Sequence, residues 1–594
     1  MPILSILAAV TCAAQSPAAA PELVPYEELA RRLRAVASEH PGAADVLPYG
    51  RSREDRELLA LRMPAGEPPR GKPAILVVAN IEGPEVFSSA LALWQAERIA
   101  HRWSTGGKSL DLLDSATLYV VARANPDAAE ARFRSPRQEL QEGGRGVDND
   151  RDGRQGEDPP SDVDGDGLVT TIRVVDPEGE WIEDPADARA MIRAEAGRGE
   201  VGRWKLWPEG RDLDGDERVA EDPEHDTWLG RNFAQDWREH DPTAGLFPMD
   251  EPEARALADF AILHKDIALV VTYGAIDNLV EKPKSVKSGA PASRRIPAPG
   301  VIEPDAEVLA EIGRRYAEIT GAKFKSRAEP AGSFQEWIYQ QRGLIPVAVV
   351  PWDIPMDEKQ GEKSKPAGEQ EAEEGAEKPA EEAGETPSEE AGAEKPSDPK
   401  RGRGDKAGED KRTPSDDARR LKWIDAKGES SRFVPWKRFE HPELGEVEIG
   451  GFAPHARIEP PEAERAELAE KHLEFLSFLG GALPRVELGE CELTDLGGGL
   501  LEVEAALTNR SLVPALSASA ARTDTVRRPR VVLKLPEGAT VVAGLPETLV
   551  RRLGGAGARE ELRWLVHGAP AGSIGIEVDT DSAGTARCVP EVKR

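Results

Sequence analysis

Residues 75–85, Ile-Leu-Val-Val-Ala-Asn-Ile-Glu-Gly-Pro-Glu, decide the fold. Ile75 to Val78 is an unbroken apolar run, the pattern of a strand buried on both faces, and the strand reads as residues 75–81. It leads into a Gly-Pro turn that carries two carboxylates, Glu82 and Glu85. From Phe87 to Ile99 the apolar residues recur at helical spacing. Strand, turn with oxygen donors, then helix is how an α/β enzyme presents a metal at the carboxyl end of a sheet.

Outward from this unit the same rhythm repeats. Tyr26 to Ser38 predicts an amphipathic helix, with Leu29, Leu33 and Val36 on one face and His40-Pro41 ending it. A polar turn from Gly50 leads into a strand ending near Arg62. Ala116 to Ala122 predicts a strand that stops at the turn former Asn125-Pro126-Asp127. Downstream, Asp250-Glu-Pro starts a helix over Pro252 to Leu263, a good N-terminal signal because proline suits the first turn. Then come a strand (Ile267 to Thr272), helices (Ala306 to Ile319, Gln335 to Gln341) and a strand (Ile345 to Val350) ending at Pro351-Trp352. Strands alternating with helices at this spacing predict an α/β domain with a substantially parallel sheet.

Residues 147–223 break the rhythm with three acidic clusters. These are Asp148, Asp150 and Asp152; Asp162, Asp164 and Asp166; and Asp212, Asp214 and Asp216. The first and third belong to a longer internal repeat. Carboxylates on alternate residues of a tight loop converge and repel unless a hard cation sits among them, and calcium prefers several oxygen ligands. The glutamate expected at loop position 12 is replaced by Pro159, Arg173 and Pro223, with Glu157-Asp158 and Glu221-Asp222 as substitutes. The alternative is a set of solvated acidic turns.

The chain has 594 residues, too many for one core, so two or three domains are expected. Its net charge of −31 argues against nucleic acid as a partner, because phosphates would be repelled. Residues 356–417 are rich in Glu, Ala, Lys, Pro and Gly and predict a disordered acidic insertion within the first domain. Patterning that completes the α/β domain returns over 418–480, with a helix placing Leu468, His472, Phe475 and Leu479 on one face. Short alternating strands over 485–594 predict a small C-terminal β-sandwich. Residues 1–20, with an apolar run from Ile3 to Val10 and small residues after it, resemble a secretory signal and point to a secreted, periplasmic or cell-envelope protein. No later run is long enough to span a bilayer as a helix. Cys491 and Cys588 leave one disulfide or two free thiols open.

With these pieces placed, residues 22–355 resemble the zinc carboxypeptidases, the carboxypeptidase A/B-like metallocarboxypeptidases. The resemblance rests on several short motifs in order: Gly50, Ser52, Glu54 and Arg56; Asn125-Pro126-Asp127; Arg231-Asn232-Phe233; Glu251-Pro252-Glu253; and Glu336-Trp337 with Tyr339 and Gly343. It implies a mixed sheet with helices on both faces, a zinc held by His-x-x-Glu and a later His, and a general-base Glu after the last strand. Residue by residue, the first ligand falls on Glu82, the second on Glu85, the third near Thr272, and the base near Pro351. By the same resemblance, Arg134 would polarise the scissile carbonyl and Arg231 would clamp a C-terminal carboxylate, with Gly230 where the family has Asn. No tyrosine lies between Ala317 and Ile338, where the family places its mobile one. His225 and His240 flank the Arg231 segment and read as surface residues.

Three functions compete. One is a secreted carboxypeptidase-like protein that no longer hydrolyses peptides and binds a peptide or protein C-terminus. Another is a working metallocarboxypeptidase with a rebuilt site using Glu82, Glu85 and a ligand from the insertion. The last is a calcium-stabilised structural envelope protein.

Overall fold

The computed structural model describes residues 18–106, 111–140, 156, 158–213, 215, 218–220, 227–287, 300–356, 412–524 and 526–593. Ala74–Ala79 is an inner strand of a six-stranded sheet ordered Asp45–Arg51, Glu57–Met63, Thr117–Val121, Ala74–Ala79, Ile267–Tyr273, Ile345–Val349. The last four of these run parallel, and Glu57–Met63 is antiparallel to both of its neighbours. The sheet is therefore mixed, and its parallel part is built from the strands that the apolar runs predicted.

Ala74–Ala79 is buried at every position because both faces are covered. Side chains alternate across a strand. Ile75, Val77 and Ala79 enter one core, which they share with the helices Tyr26–Glu39, Val86–Ser104, Glu303–Thr320 and Glu462–Ala482. Ala74, Leu76 and Val78 enter the other, against Pro252–Leu263 and Phe334–Trp337. Each fully buried Val, Leu or Ile contributes roughly 1.5–3 kcal/mol, which is why this strand has no polar alternation. All four parallel strands end on one edge, so the turns after Ala79, Val121, Tyr273 and Val349 gather there.

The stretch expected to be a helix over Gln335 to Gln341 is one α-turn, Phe334–Trp337, continued by a π-turn, Ile338–Arg342. It stops at Gly343, whose φ is +65° and where a β-carbon would lie 2.6 Å from Ala520.

Residues 147–223 contain more than acidic turns. Thr171–Val175, Trp181–Asp184, Asp187–Arg193 and Trp204–Pro208 join the hairpin Phe433–His441/Gly445–Phe452 in a second six-stranded sheet, antiparallel throughout. The pairing Ile172 with Ile449 spans hundreds of residues, so no local pattern announces it. Of residues 356–417, 357–411 lie outside the described residues, and the helix Asp416–Lys427, capped by the Ser415 hydroxyl, begins just inside the stretch. Phe87, Trp352, Ala190, Leu421 and Phe433 share one cluster, which fixes this helix and the second sheet beside the carboxyl edge of the first.

The C-terminal part is a sandwich of a five-stranded and a four-stranded sheet, with Val503, Val531, Trp564 and Ile576 in its core. Cys491 and Cys588 are paired, Cα–Cα 6.6 Å, and join Val486–Gly497 in one sheet to Ala586–Cys588 in the other. The sandwich docks through Asp305, which accepts the N–H groups of Ala518 (2.9 Å) and Ser519 (3.1 Å) and the Tyr339 hydroxyl (2.8 Å). Among the described residues no helix is long and apolar enough to cross a membrane.

Candidate functional site

The short motifs form a scaffold around the carboxyl edge of the sheet. The Ser52 hydroxyl donates to Asp127 Oδ1 (2.7 Å), the Glu54 N–H donates to Oδ2 (2.8 Å), and Arg56 forms an ion pair with the same carboxylate. The turn at 50–56 is thereby locked to the Asn-Pro-Asp turn. Asn232 donates to the Ala244 carbonyl (2.8 Å) and Asp250 (2.6 Å) and accepts the Glu251 N–H (3.1 Å). Arg53 donates its backbone N–H to Glu253 (2.9 Å) and its side chain to Glu251 (3.0 Å). These bonds hold the segment that carries Arg231.

A cleft of about 1290 Å³ opens at this edge, with Glu82, Glu85, Arg231, Arg327 and Asp353 in its wall. Glu82 is 9% exposed and accepts the Ala275 N–H (3.3 Å). Its carboxylate lies against two bare α-carbons: a β-carbon on Gly230 would stand 3.1 Å from Oε1, and one on Gly274 would stand 2.3 Å from Oε2. Burial, and then the charge of Glu85, push the Glu82 carboxyl up to about 7. Glu85 is 5% exposed and forms an ion pair with Arg327. Burial raises its pKa, and the Arg327 charge pulls it back down. Arg327 also pairs with Asp353 (3.4 Å) and donates to the Trp352 carbonyl (3.0 Å), while its backbone N–H donates to the Ala275 carbonyl (2.7 Å). One guanidinium therefore serves two buried carboxylates, with its fork spread across them.

The residues singled out from the sequence separate. Glu82, Glu85 and Arg231 line the cleft. Arg231 lies over the Trp228 ring, 3.9 Å from its centre, and donates from Nη1 to Thr243 (2.7 Å) and Asp241 (3.3 Å). Thr272 is buried, does not line the cleft, and has no hydrogen-bond partner for its hydroxyl among the described residues. Pro351 is buried too, and its carbonyl accepts from His472 Nε2 (3.3 Å). Arg134 is half-exposed, pairs with Glu54 (3.2 Å) and does not line the cleft. His240 is exposed.

Asp162, Asp164 and Asp166 bring one carboxylate oxygen each within 4.8 Å of one another. Asp212 accepts the Gly215 N–H (2.6 Å). Asp148, Asp150, Asp152, Asp214, Asp216 and His225 lie outside the described residues. The sequence reading missed Arg327 and Asp353. Asp353 stands two residues beyond the position assigned to the base, and its carboxylate was the available signal. Arg327 sits in a run of mixed charges, Lys323 to Glu329, with no motif to mark it.

The sequence model described as zinc carboxypeptidase matches residues 29–350, and a domain of unknown function matches 485–589. Carboxypeptidase A2 of Rattus norvegicus is 31% identical over 101 residues, 17% of this chain and 24% of that protein. The chain thus aligns with about a quarter of that relative's length. Among solved structures, bovine thrombin-activatable fibrinolysis inhibitor is 14% identical, with a TM-score of 0.34 over 55% of this chain and 86% of the other. Carboxypeptidase A from Helicoverpa armigera is 16% identical, with a TM-score of 0.33 over 56% and 66%. The family match covers more than half of the sequence and includes the 75–85 turn, the Asn-Pro-Asp turn and the Arg231 segment, and the chain belongs to the zinc carboxypeptidase family.

Proposed function

We propose that this protein is a secreted or envelope member of the family that binds a peptide or protein C-terminus in its cleft without hydrolysing it. The observation that carries the reading is the set of groups in the cleft. Zinc asks for three converging N, O or S donors about 2.0–2.3 Å from the ion. No histidine is among the described residues that line the cleft, Thr272 is withdrawn from it, and Glu85 is committed to Arg327. Among the described residues only Asp162, Asp164 and Asp166 bring three such donors together, and they are not part of the cleft wall. The cleft residues therefore do not fit the metal that the family implies, and no step is routed through it. The position assigned to the general base is a proline, and the nearest cleft carboxylate after it, Asp353, is paired with Arg327. The base position after the last strand therefore offers no unpaired carboxylate to a bound water.

Binding is better supported than cleavage. Arg231 uses only Nη1 for its bonds to described residues, and its ring contact with Trp228 orients the guanidinium. An oriented fork with open donors suits a carboxylate. The test is a mixed peptide library offered to the purified protein. Retention of free-acid peptides over their C-terminal amides, with no trimming, is expected. Release of C-terminal residues that stops on chelation would overturn the reading.

A structural calcium site is a second, compatible role, favoured by the convergence of Asp162, Asp164 and Asp166. Their loop is backed by buried Glu209, which accepts the N–H groups of Val163 (2.8 Å) and Thr170 (2.8 Å). The Cys491–Cys588 disulfide supports an oxidising compartment.

A further inference from the structure

We propose that Arg327 is a tethered cation that takes the place of a metal ion in the cleft, making the site independent of metal by construction. The inference rests on the non-hydrolytic reading above and names what replaced the ion.

Three acidic side chains meet at the carboxyl edge of the sheet from two separate connections. Glu82 and Glu85 follow Ala74–Ala79, and Asp353 follows Ile345–Val349. All three are buried, at 9%, 5% and 8% exposure. Carboxylates gathered out of water need a counter-charge in their midst, and a bound metal is one way to supply it. Here the charge arrives on a side chain. Arg327 comes from the segment after Glu303–Thr320, is pinned by its backbone bond to Ala275, and reaches both Glu85 and Asp353. The same Ala275 gives its N–H to Glu82, so Glu82 and Arg327 share one backbone anchor, and Arg327 carries Glu85 and Asp353 on its guanidinium.

The substitution has chemical consequences. A guanidinium offers only donors, so it neutralises and orients carboxylates. It has no open coordination position, so it cannot lower the pKa of a bound water as a catalytic zinc does. It also cannot dissociate, so the charge balance of the cleft survives chelation.

The experiment uses the full chain with Arg327→Ala, Arg327→Lys, Glu85→Gln and Arg327→Ala/Glu85→Gln. Melting is followed with a chelator, with zinc and with manganese, and bound metal is measured after desalting. In the unaltered protein, zinc and manganese are expected to give no shift that Glu85→Gln removes. Arg327→Ala should melt lower by at least about 4 °C, since it strands buried carboxylates. Zinc or manganese should restore part of that loss, with about one ion retained per chain, and the added Glu85→Gln should cancel the rescue. Arg327→Lys should melt closer to the unaltered protein without metal. If Arg327→Ala does not fold, Arg327→Gln carries the same comparison.

The idea is overturned by a Glu85-dependent zinc shift in the unaltered protein, by an Arg327→Ala protein of unchanged stability, or by a destabilised one that neither ion rescues. The peptide-binding reading fails separately. Absence of free-acid peptide retention, with the metal rescue of Arg327→Ala intact, would reject that reading and leave the tethered cation standing.

Discussion

The carboxylate of Glu82 occupies space that a β-carbon on Gly274 would need: the two would stand 2.3 Å apart. Glu82 and the glycine after the Ile267–Tyr273 strand are therefore one feature, and Gly230 belongs to it, with 3.1 Å to the other carboxylate oxygen. Gly274→Ala should destabilise the protein by about 1–3 kcal/mol, the usual cost of overpacking. Glu82→Ala in the same chain should recover most of that cost. A double-mutant cycle by chemical denaturation measures the coupling, and strictly additive effects would show that the two positions do not contend for space.

The motif acid Glu253 should make stability fall with rising pH. It is 3% exposed, and burial pushes its carboxyl from 4.5 up to about 7, against the pull of the Arg53 N–H. A carboxyl raised in the folded state contributes stability that is complete below its unfolded value near 4.5. That stability is lost as pH rises through about 7. The melting temperature should therefore decline between pH 5 and 8, with a flatter profile in Glu253→Gln. Glu82 and Glu336, also pushed up to about 7 chiefly by burial, keep some slope in that variant. An unchanged profile in Glu253→Gln would place its titration elsewhere.

How much of this was legible follows from how local each signal is. The strand at 74–79 announced itself because burial on both faces leaves an unbroken apolar run, and the helix Pro252–Leu263 because proline marked its start. Glu82 and Glu85 were found because they follow directly on a strand, and Arg231 because it stands in a short motif. Arg327 was not, because its partners Glu85 and Asp353 lie far along the chain or beyond a strand, and an arginine among mixed charges looks like surface. The second sheet was hidden for the same reason. Its strands at 171–208 are short, and Thr171–Val175 pairs with Gly445–Phe452, far along the chain. Periodicity reports on burial along one segment and carries no information on which distant segment completes the pair.

Reduction of Cys491–Cys588 should loosen the sandwich. The bridge closes a 97-residue separation and ties one sheet to the other near the edge strand Ala586–Cys588. Loss of such a link costs about 2–4 kcal/mol, through freedom gained by the unfolded chain in the entropic account. Cys491→Ser/Cys588→Ser, or the reduced protein, should show a lower melting transition. A melting curve indifferent to reductant would mean that the sheet packing around Trp564 and Val503 holds the domain without the bridge.

Calcium should raise the melting temperature through the loop Asp162 to Gly167. Asp162 accepts the N–H groups of Gly165 (2.7 Å) and Gly167 (2.8 Å), which curls the loop so that one oxygen each of Asp162, Asp164 and Asp166 meets. With no cation the three charges repel, and the pKa of Asp164 is already raised, by burial first and then by its two acidic neighbours. A calcium ion removes the repulsion and adds stability as RT ln(1 + [L]/Kd), about 2.7 kcal/mol at a hundredfold excess over Kd. The expected result is a calcium-dependent rise that magnesium reproduces poorly, because magnesium demands a tighter octahedron. Asp164→Asn/Asp166→Asn should abolish the part of the rise that belongs to this loop. A rise that survives both substitutions would assign the calcium to other acidic residues, and no rise at all would leave the loop as a solvated turn braced by Glu209.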